Sequence, residues 1–458
     1  MRTSSYSSAH THPATFTLRR WIQPFCLGLA IALILPSHIS HAQNTQPVQP
    51  ENQPESQPEN QPESQPEQMP PLRKLDCPAT PHTAEHIGLD TALFRTSLAA
   101  GDRQALLTAI DNSLAYLQTP ESVTAYSNYA VPSITHDRVR RSLQRFRTLV
   151  IQSQSAEELQ QAVTAEFDIY QAIGQDQQGA VAFTGYFEPT YRASRTPDET
   201  YRYPIYQSPP NLGQWSEPHP TRLALEGADG LQASKGPIAG LELAWLPSRL
   251  EAFLIQVQGS ARLELIEGGT LSVGYDGRTN YPYTSMGRAL IDDGIIPEDE
   301  LTLPVLMAYF EQNPTALDRY LPRNDRFVFF RETHGAPATG SLGVPVTAGR
   351  SIATDKSLMP PGALALITLP LPQRDENGVF VKAPLEAQIA SQMETQPEDP
   401  MGDVAYPATS RFVLDQDTGG AIKGAGRVDL FIGTGNDAGQ IAGLINDQGA
   451  LYYLLIKE

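Results

Sequence analysis

Asp417-Thr418-Gly419-Gly420-Ala421-Ile422-Lys423-Gly424-Ala425-Gly426-Arg427-Val428-Asp429-Leu430-Phe431 sets two aspartates on either side of a glycine-rich turn that also carries a lysine and an arginine. Glycine at this density lets a backbone approach a ligand closely and take up positive φ. If the turn joins two strands, both carboxyl groups can face one cleft. Two acids in one cleft do not ionise independently, and one is pushed toward its protonated form. A protonated carboxyl that donates to a leaving oxygen is a general acid. Lys423 and Arg427 would then either bind hydroxyl or carboxylate groups of a substrate or hold the second acid ionised. A lone aspartate in such a loop is most often a turn cap. The combination, and no single position, argues for chemistry. A third aspartate, Asp355, follows the short run Ser351-Ile352-Ala353-Thr354.

Around this run the chain is strand-rich. Residues 181–191 alternate and are broken by Pro189, while 203–206 and 252–263 also read as short strands, a texture of barrels or sandwiches. Two helices interrupt, over 284–293, stopped at Gly294, and over 301–312, with Asn313-Pro314 behind it. From Gly343 onward short strands return, ending in a buried strand at 451–456. Upstream, apolar residues recur at helical spacing over 89–98, 105–117, 139–151 and 156–173, which predicts amphipathic packing helices without chemistry.

The N-terminus reads as an export signal. Arg19 and Arg20 precede an apolar run over 25–35, and small residues follow up to Ala42, before Gln43. The run is short for a membrane span. No cysteine stands at its end, so a lipid anchor is not supported. Cys26 falls in the signal, which leaves Cys77 alone and predicts no intrachain disulfide. The repeats over 46–71, proline-spaced and acidic, form a solvated tether.

A chain of 458 residues holds two or three domains, and its net charge of −18 argues against nucleic acid as a partner. Binding to an acidic polymer would have to come from a local site. Histidines are scattered and no Cys-x-x-Cys pair exists, so no metal is expected. Gly419-Gly420-Ala421-Ile422-Lys423-Gly424 lacks the Ser or Thr after lysine that a nucleotide-phosphate loop needs, and no Gly-x-Ser-x-Gly elbow appears. No cofactor is expected. Carboxylates remain.

Asp355, Asp417 and Asp429 in their contexts resemble the three-aspartate domain, a double-psi β-barrel. The chain is similar to the membrane-bound lytic murein transglycosylase A family, on Phe183-Thr184-Gly185-Tyr186-Phe187-Glu188-Pro189 and on the stretches 256–260, 273–275, 281–288, 327–331, 343–351 and 417–431. These occur in the family's order. Ala261 stands where relatives often carry glycine, and Asp276, near the presumed groove, where they often carry alanine.

The resemblance implies a mainly β fold with a helical N-terminal portion: a double-psi β-barrel plus a smaller inserted β domain. The expected division is a signal peptide at 1–42, a linker at 43–82, helices and the first part of the barrel at 83–185, the insertion at 186–333, and the rest of the barrel at 334–458. It also implies cleavage of the β-1,4 bond between N-acetylmuramic acid and N-acetylglucosamine, without water, to 1,6-anhydromuramoyl ends. Asp429 would be the single acid and base, Asp417 its support, and Asp355 structural. Tyr186, Glu188, Gln258, Ser260, Tyr283, Ser285 and Lys423 are the candidate sugar-binding residues. Glu188 is a rival proton donor. Implied partners are peptidoglycan glycan strands and other proteins of murein synthesis and hydrolysis, in the periplasm or cell envelope. Two rival readings stand: a non-catalytic wall-binding protein on the same barrel, and a muramidase that uses water.

Overall fold

The computed structural model describes residues 69–75, 87–94, 100–298, 300–375, 377–382 and 409–458. The signal, most of the tether and Cys77 lie outside the described residues.

Six strands close into a ring. Ser351–Ala353 pairs in parallel with Thr409–Asp417 and antiparallel with Arg427–Thr434. Thr409–Asp417 pairs with Leu364–Leu369, which pairs with Asn446–Ile456, both antiparallel. The first residues of Asn446–Ile456 pair with Val181–Glu188, and that strand runs parallel to Arg427–Thr434, so the sheet meets itself. Closure leaves these strands without a free edge. The second half of Asn446–Ile456 pairs instead with Phe167–Ala172. Ring strands are buried on both faces over much of their length, and Leu364, Leu366, Phe412, Leu414, Val428 and Tyr453 share one core.

Helices cover this ring on one side. His136–Gln152 is capped by Thr135, whose side chain accepts from the Arg138 N–H, and it buries Val139, Leu143, Phe146 and Val150 at three- and four-residue spacing. Phe146 meets the Phe412 ring at 4.7 Å between centroids. Burying a side chain of this size contributes roughly 2–3 kcal/mol.

Between Val181–Glu188 and Ser351–Ala353 the chain builds a second layer. Thr190–Ala193, Ser260–Leu265, Thr270–Arg278 and Val328–Glu332 form a four-stranded sheet, with its own core around Phe253, Leu263, Leu306, Phe310 and Phe330.

Three expectations need correction. The fold is mixed α/β rather than mainly β: beyond Leu303–Gln312, which matches the helix expected over 301–312, Arg249–Gln258 and Asn436–Leu444 are further helices in later segments. The stretch read as a strand over 252–263 is helical up to Gln258. Ser248 caps this helix and Gly259, at φ 81°, ends it in the left-handed conformation. The helix expected over 156–173 stops at Glu166, and Phe167–Ala172 is a strand of the main sheet.

Candidate active site

Asp417 ends one strand and Asp429 lies inside another, and both are register partners of Ala353 on the short strand between them. Register partners present side chains on one face. The two carboxyl groups therefore flank the Ala353 methyl, with their Cα atoms about 10 Å apart across two strand spacings. A one-residue bulge makes this alignment: Ile352 faces Asp415, but Ala353 faces Asp417. The extra residue, Gln416, is fully buried and donates to Ala109 O at 2.7 Å and Ser113 Oγ at 3.0 Å on the helix Ala100–Tyr116. Ala353, Tyr186, Val346, Ile422 and Phe431 form an apolar patch beneath the acids.

Asp429 is 5 % exposed. Burial pushes its carboxyl up to about 6, Arg427 opposes the rise, and the charge of Asp417 adds to it. Arg427 Nη2 stands 3.3 Å from Asp429 Oδ1 and donates to Thr184 Oγ1 at 2.6 Å. Arg427 is itself buried and holds the acid rather than a ligand. Asp417 is also pushed up by burial, but it accepts from the Ser341 N–H (2.8 Å), the Thr418 N–H (2.8 Å) and the Tyr186 hydroxyl (2.9 Å), which pull it back toward the charged form. Lys356 bonds both the Asp417 carbonyl and the buried Asp415 carboxylate, locking the strand end. Three donors thus favour the charged form of Asp417, whereas the Arg427 guanidinium is what favours that of Asp429.

Both acids open on a cavity of about 670 Å³ between the ring and the inserted sheet. Tyr186, Gln258, Ser260, Tyr283 and Lys423 line it. Burial raises the Tyr283 phenol to about 12, so it stays a donor. Gln258 Oε1 accepts from the Phe187 N–H at 3.1 Å, which fixes its amide.

Two expected sugar-binding residues are not on the cavity wall. Glu188 is 1 % exposed, bonded to Arg262 Nε at 2.8 Å and Thr434 Oγ1 at 2.7 Å. This closed ion pair joins the insertion to the ring and leaves Glu188 no path to a substrate. Ser285 caps the helix Met286–Asp292 by accepting from the Arg288 N–H. Asp355 accepts from the Ser357 and Gly424 N–H groups and the Ser357 hydroxyl, which hold it low. Lys423 Nζ lies 3.7 Å from it.

Two of the glycines serve local packing and hydrogen bonding. A Cβ on Gly420 would meet Arg326 Nη1 at 1.9 Å and Tyr283 Cβ at 3.3 Å, so this residue lets the ring and the insertion close on each other. Gly424, at φ 84°, aims its N–H at Asp355 Oδ2, 3.0 Å away. Sequence reasoning missed Lys356 and the cavity arginines Arg222, Arg278, Arg326 and Arg331, which stand singly in the chain and meet only in the fold.

The model of the MltA specific insert domain matches residues 182–331, and that of the 3D domain matches 395–455. The chain is 32% identical over 289 residues to membrane-bound lytic murein transglycosylase A of Escherichia coli strain K12, covering 63% of this chain and 69% of that one. The Vibrio cholerae protein of the same name is 31% identical over 303 residues, 65% and 72% of the two chains. The crystal structure of E. coli MltA with bound chitohexaose superposes with a TM-score of 0.55 at 26% identity, covering 79% of this chain and 91% of that one. No helix among the described residues is long and apolar enough to cross a membrane. With a relative above 30% identity matched over more than two thirds of its length, this chain belongs to the membrane-bound lytic murein transglycosylase A family, enzymes of the peptidoglycan wall.

Proposed function

We propose that Asp429 is the single acid and base of a lytic transglycosylase that cuts the β-1,4 bond between N-acetylmuramic acid and N-acetylglucosamine. The observation that carries this is one buried carboxyl, raised to about 6, on the wall of a glycan-sized cleft. Protonated Asp429 gives its proton to the glycosidic oxygen as the bond to C1 breaks. Positive charge grows at C1, eased by the 2-acetamido group and by the negative Asp417 nearby. The Asp429 carboxylate then takes the proton of the C6 hydroxyl of the same muramoyl sugar. That oxygen attacks C1 and closes the 1,6-anhydro ring. One acid suffices because the nucleophile is intramolecular and already close, unlike the two-carboxylate plan of glycoside hydrolysis.

In this reading the six-stranded ring is the double-psi barrel, contributed by 83–185 and 334–458, with 186–333 as the insertion. The protein works outside the cytoplasm on glycan strands, at the periplasmic envelope. Digestion of sacculi by Asp429→Asn and Glu188→Gln proteins tests the assignment. Asp429→Asn should release no anhydromuropeptide. Should it keep near-normal turnover while Glu188→Gln loses it, the acid has been misassigned.

A further inference from the structure

The charge of this protein opposes its proposed substrate. Each muramoyl sugar carries, through a lactyl ether, either a peptide with free carboxylates or, once that peptide is removed, the lactyl carboxylate itself. A chain of net charge −18 gains nothing from long-range attraction to such a polymer. The cavity wall opposite Asp429 reverses the sign. Four arginines line it, all from the inserted layer.

Two of these are already committed. Arg222 is 1 % exposed and bonds Glu226, Gln256 and the Arg326 carbonyl. Arg331 pairs with Asp276 at 3.1 Å. The other two have no carboxylate partner among the described residues. Arg326 donates through Nε to Tyr281 O at 2.8 Å, and Arg278 through Nη1 to Thr279 O at 3.2 Å. Arg278 is the register partner of Val328, two residues from Arg326, and both arginines line the cavity. Burial and then the Arg278 charge depress the Arg326 guanidinium to about 10. Arginine stays charged at neutral pH, so this pair is a cationic spot on the cavity wall.

We propose that Arg278 and Arg326 form a carboxylate-binding subsite for the acidic substituent of the muramoyl sugar, so that the cleft prefers murein over uncharged glycans. An incoming carboxylate relieves the repulsion between the two cations and meets planar donors suited to bidentate bonding. The proposal rests on the cavity being the glycan site.

Titration of the Asp429→Asn protein, with and without Arg278→Gln or Arg326→Gln, separates the two claims. Three probes are needed: peptide-bearing glycan oligomers, the same oligomers stripped of peptide by an amidase, and chitohexaose. Each arginine variant should weaken a carboxylate-bearing probe about tenfold and chitohexaose less than about twofold. A loss confined to the peptide-bearing probe assigns the stem carboxylates, a loss confined to the stripped probe assigns the lactyl carboxylate, and a loss with both shows that the pair takes either. Arg278→Gln guards against a merely structural result, since Arg278 is exposed and holds only a neighbouring carbonyl. Equal losses for all three probes, or none, overturn the subsite while leaving the glycan site intact. If the parent Asp429→Asn protein binds none of the three, the glycan-site reading falls as well.

Discussion

Replacing Asp429 by asparagine should abolish turnover and at the same time stabilise the protein at neutral pH. The carboxyl is buried over an apolar floor and titrates near 6, against 3.8 for an unperturbed aspartate. A raised acid binds its proton more tightly in the folded state. Its contribution is therefore intact at pH below the unfolded value and declines as pH rises through the folded one. A gap of about 2 pH units corresponds to about 3 kcal/mol by pH 8, with only a few tenths lost at pH 4. Asparagine fills the same space and never ionises. Urea unfolding of both proteins between pH 4 and pH 8 measures the difference. The advantage of Asp429→Asn should grow by roughly 2 kcal/mol across that range. A pH-independent difference, or a wild type that gains on the variant as pH rises, would show that ionising Asp429 costs the fold nothing, and the reasoning for a raised carboxyl would fail. The outcome would also be a stability–activity trade, since the group proposed to perform the chemistry weakens the fold.

Other perturbations probe the surroundings of this acid. Tyr186→Phe removes a hydroxyl that lowers Asp417, so Asp417 ionises later and supports the proton on Asp429 less; the alkaline limb of the pH–rate profile should move to lower pH, with about 1 kcal/mol of stability lost. Lys356→Met leaves the fully buried Asp415 carboxylate without its cation and should cost about 3–5 kcal/mol in urea unfolding. Gly420→Ala places a methyl on the Arg326 guanidinium, whose flexible end can swing aside; KM for murein should rise while stability changes by less than about 1 kcal/mol.

The acids were legible in the sequence because their setting is local: two aspartates, a glycine turn and flanking β-branched residues declare strand, turn, strand within fifteen residues. The helix Arg249–Gln258 was not. Its Ile255-Gln256-Val257-Gln258 run alternates like a strand, and the Ser248 cap with burial of Leu250, Phe253, Leu254 and Ile255 decides for helix. Phe167–Ala172 was hidden for the opposite reason, since helical spacing ran on past Glu166 until pairing with Asn446–Ile456 captured the segment. Glu188 read as a sugar-binding candidate and rival donor, but Arg262 and Thr434, which close over it, lie 74 and 246 residues away. The bulge at Gln416 and the meeting of Arg278 with Arg326 depend on contacts of that kind and leave no local mark.

Sacculi digested in water enriched in heavy oxygen, with the products weighed by mass spectrometry, give the most direct test of Asp429 as lone acid and base. Closure by the C6 hydroxyl predicts anhydromuramoyl ends that carry no label. Labelled reducing ends would show that water attacks C1, and the single-aspartate account would be wrong.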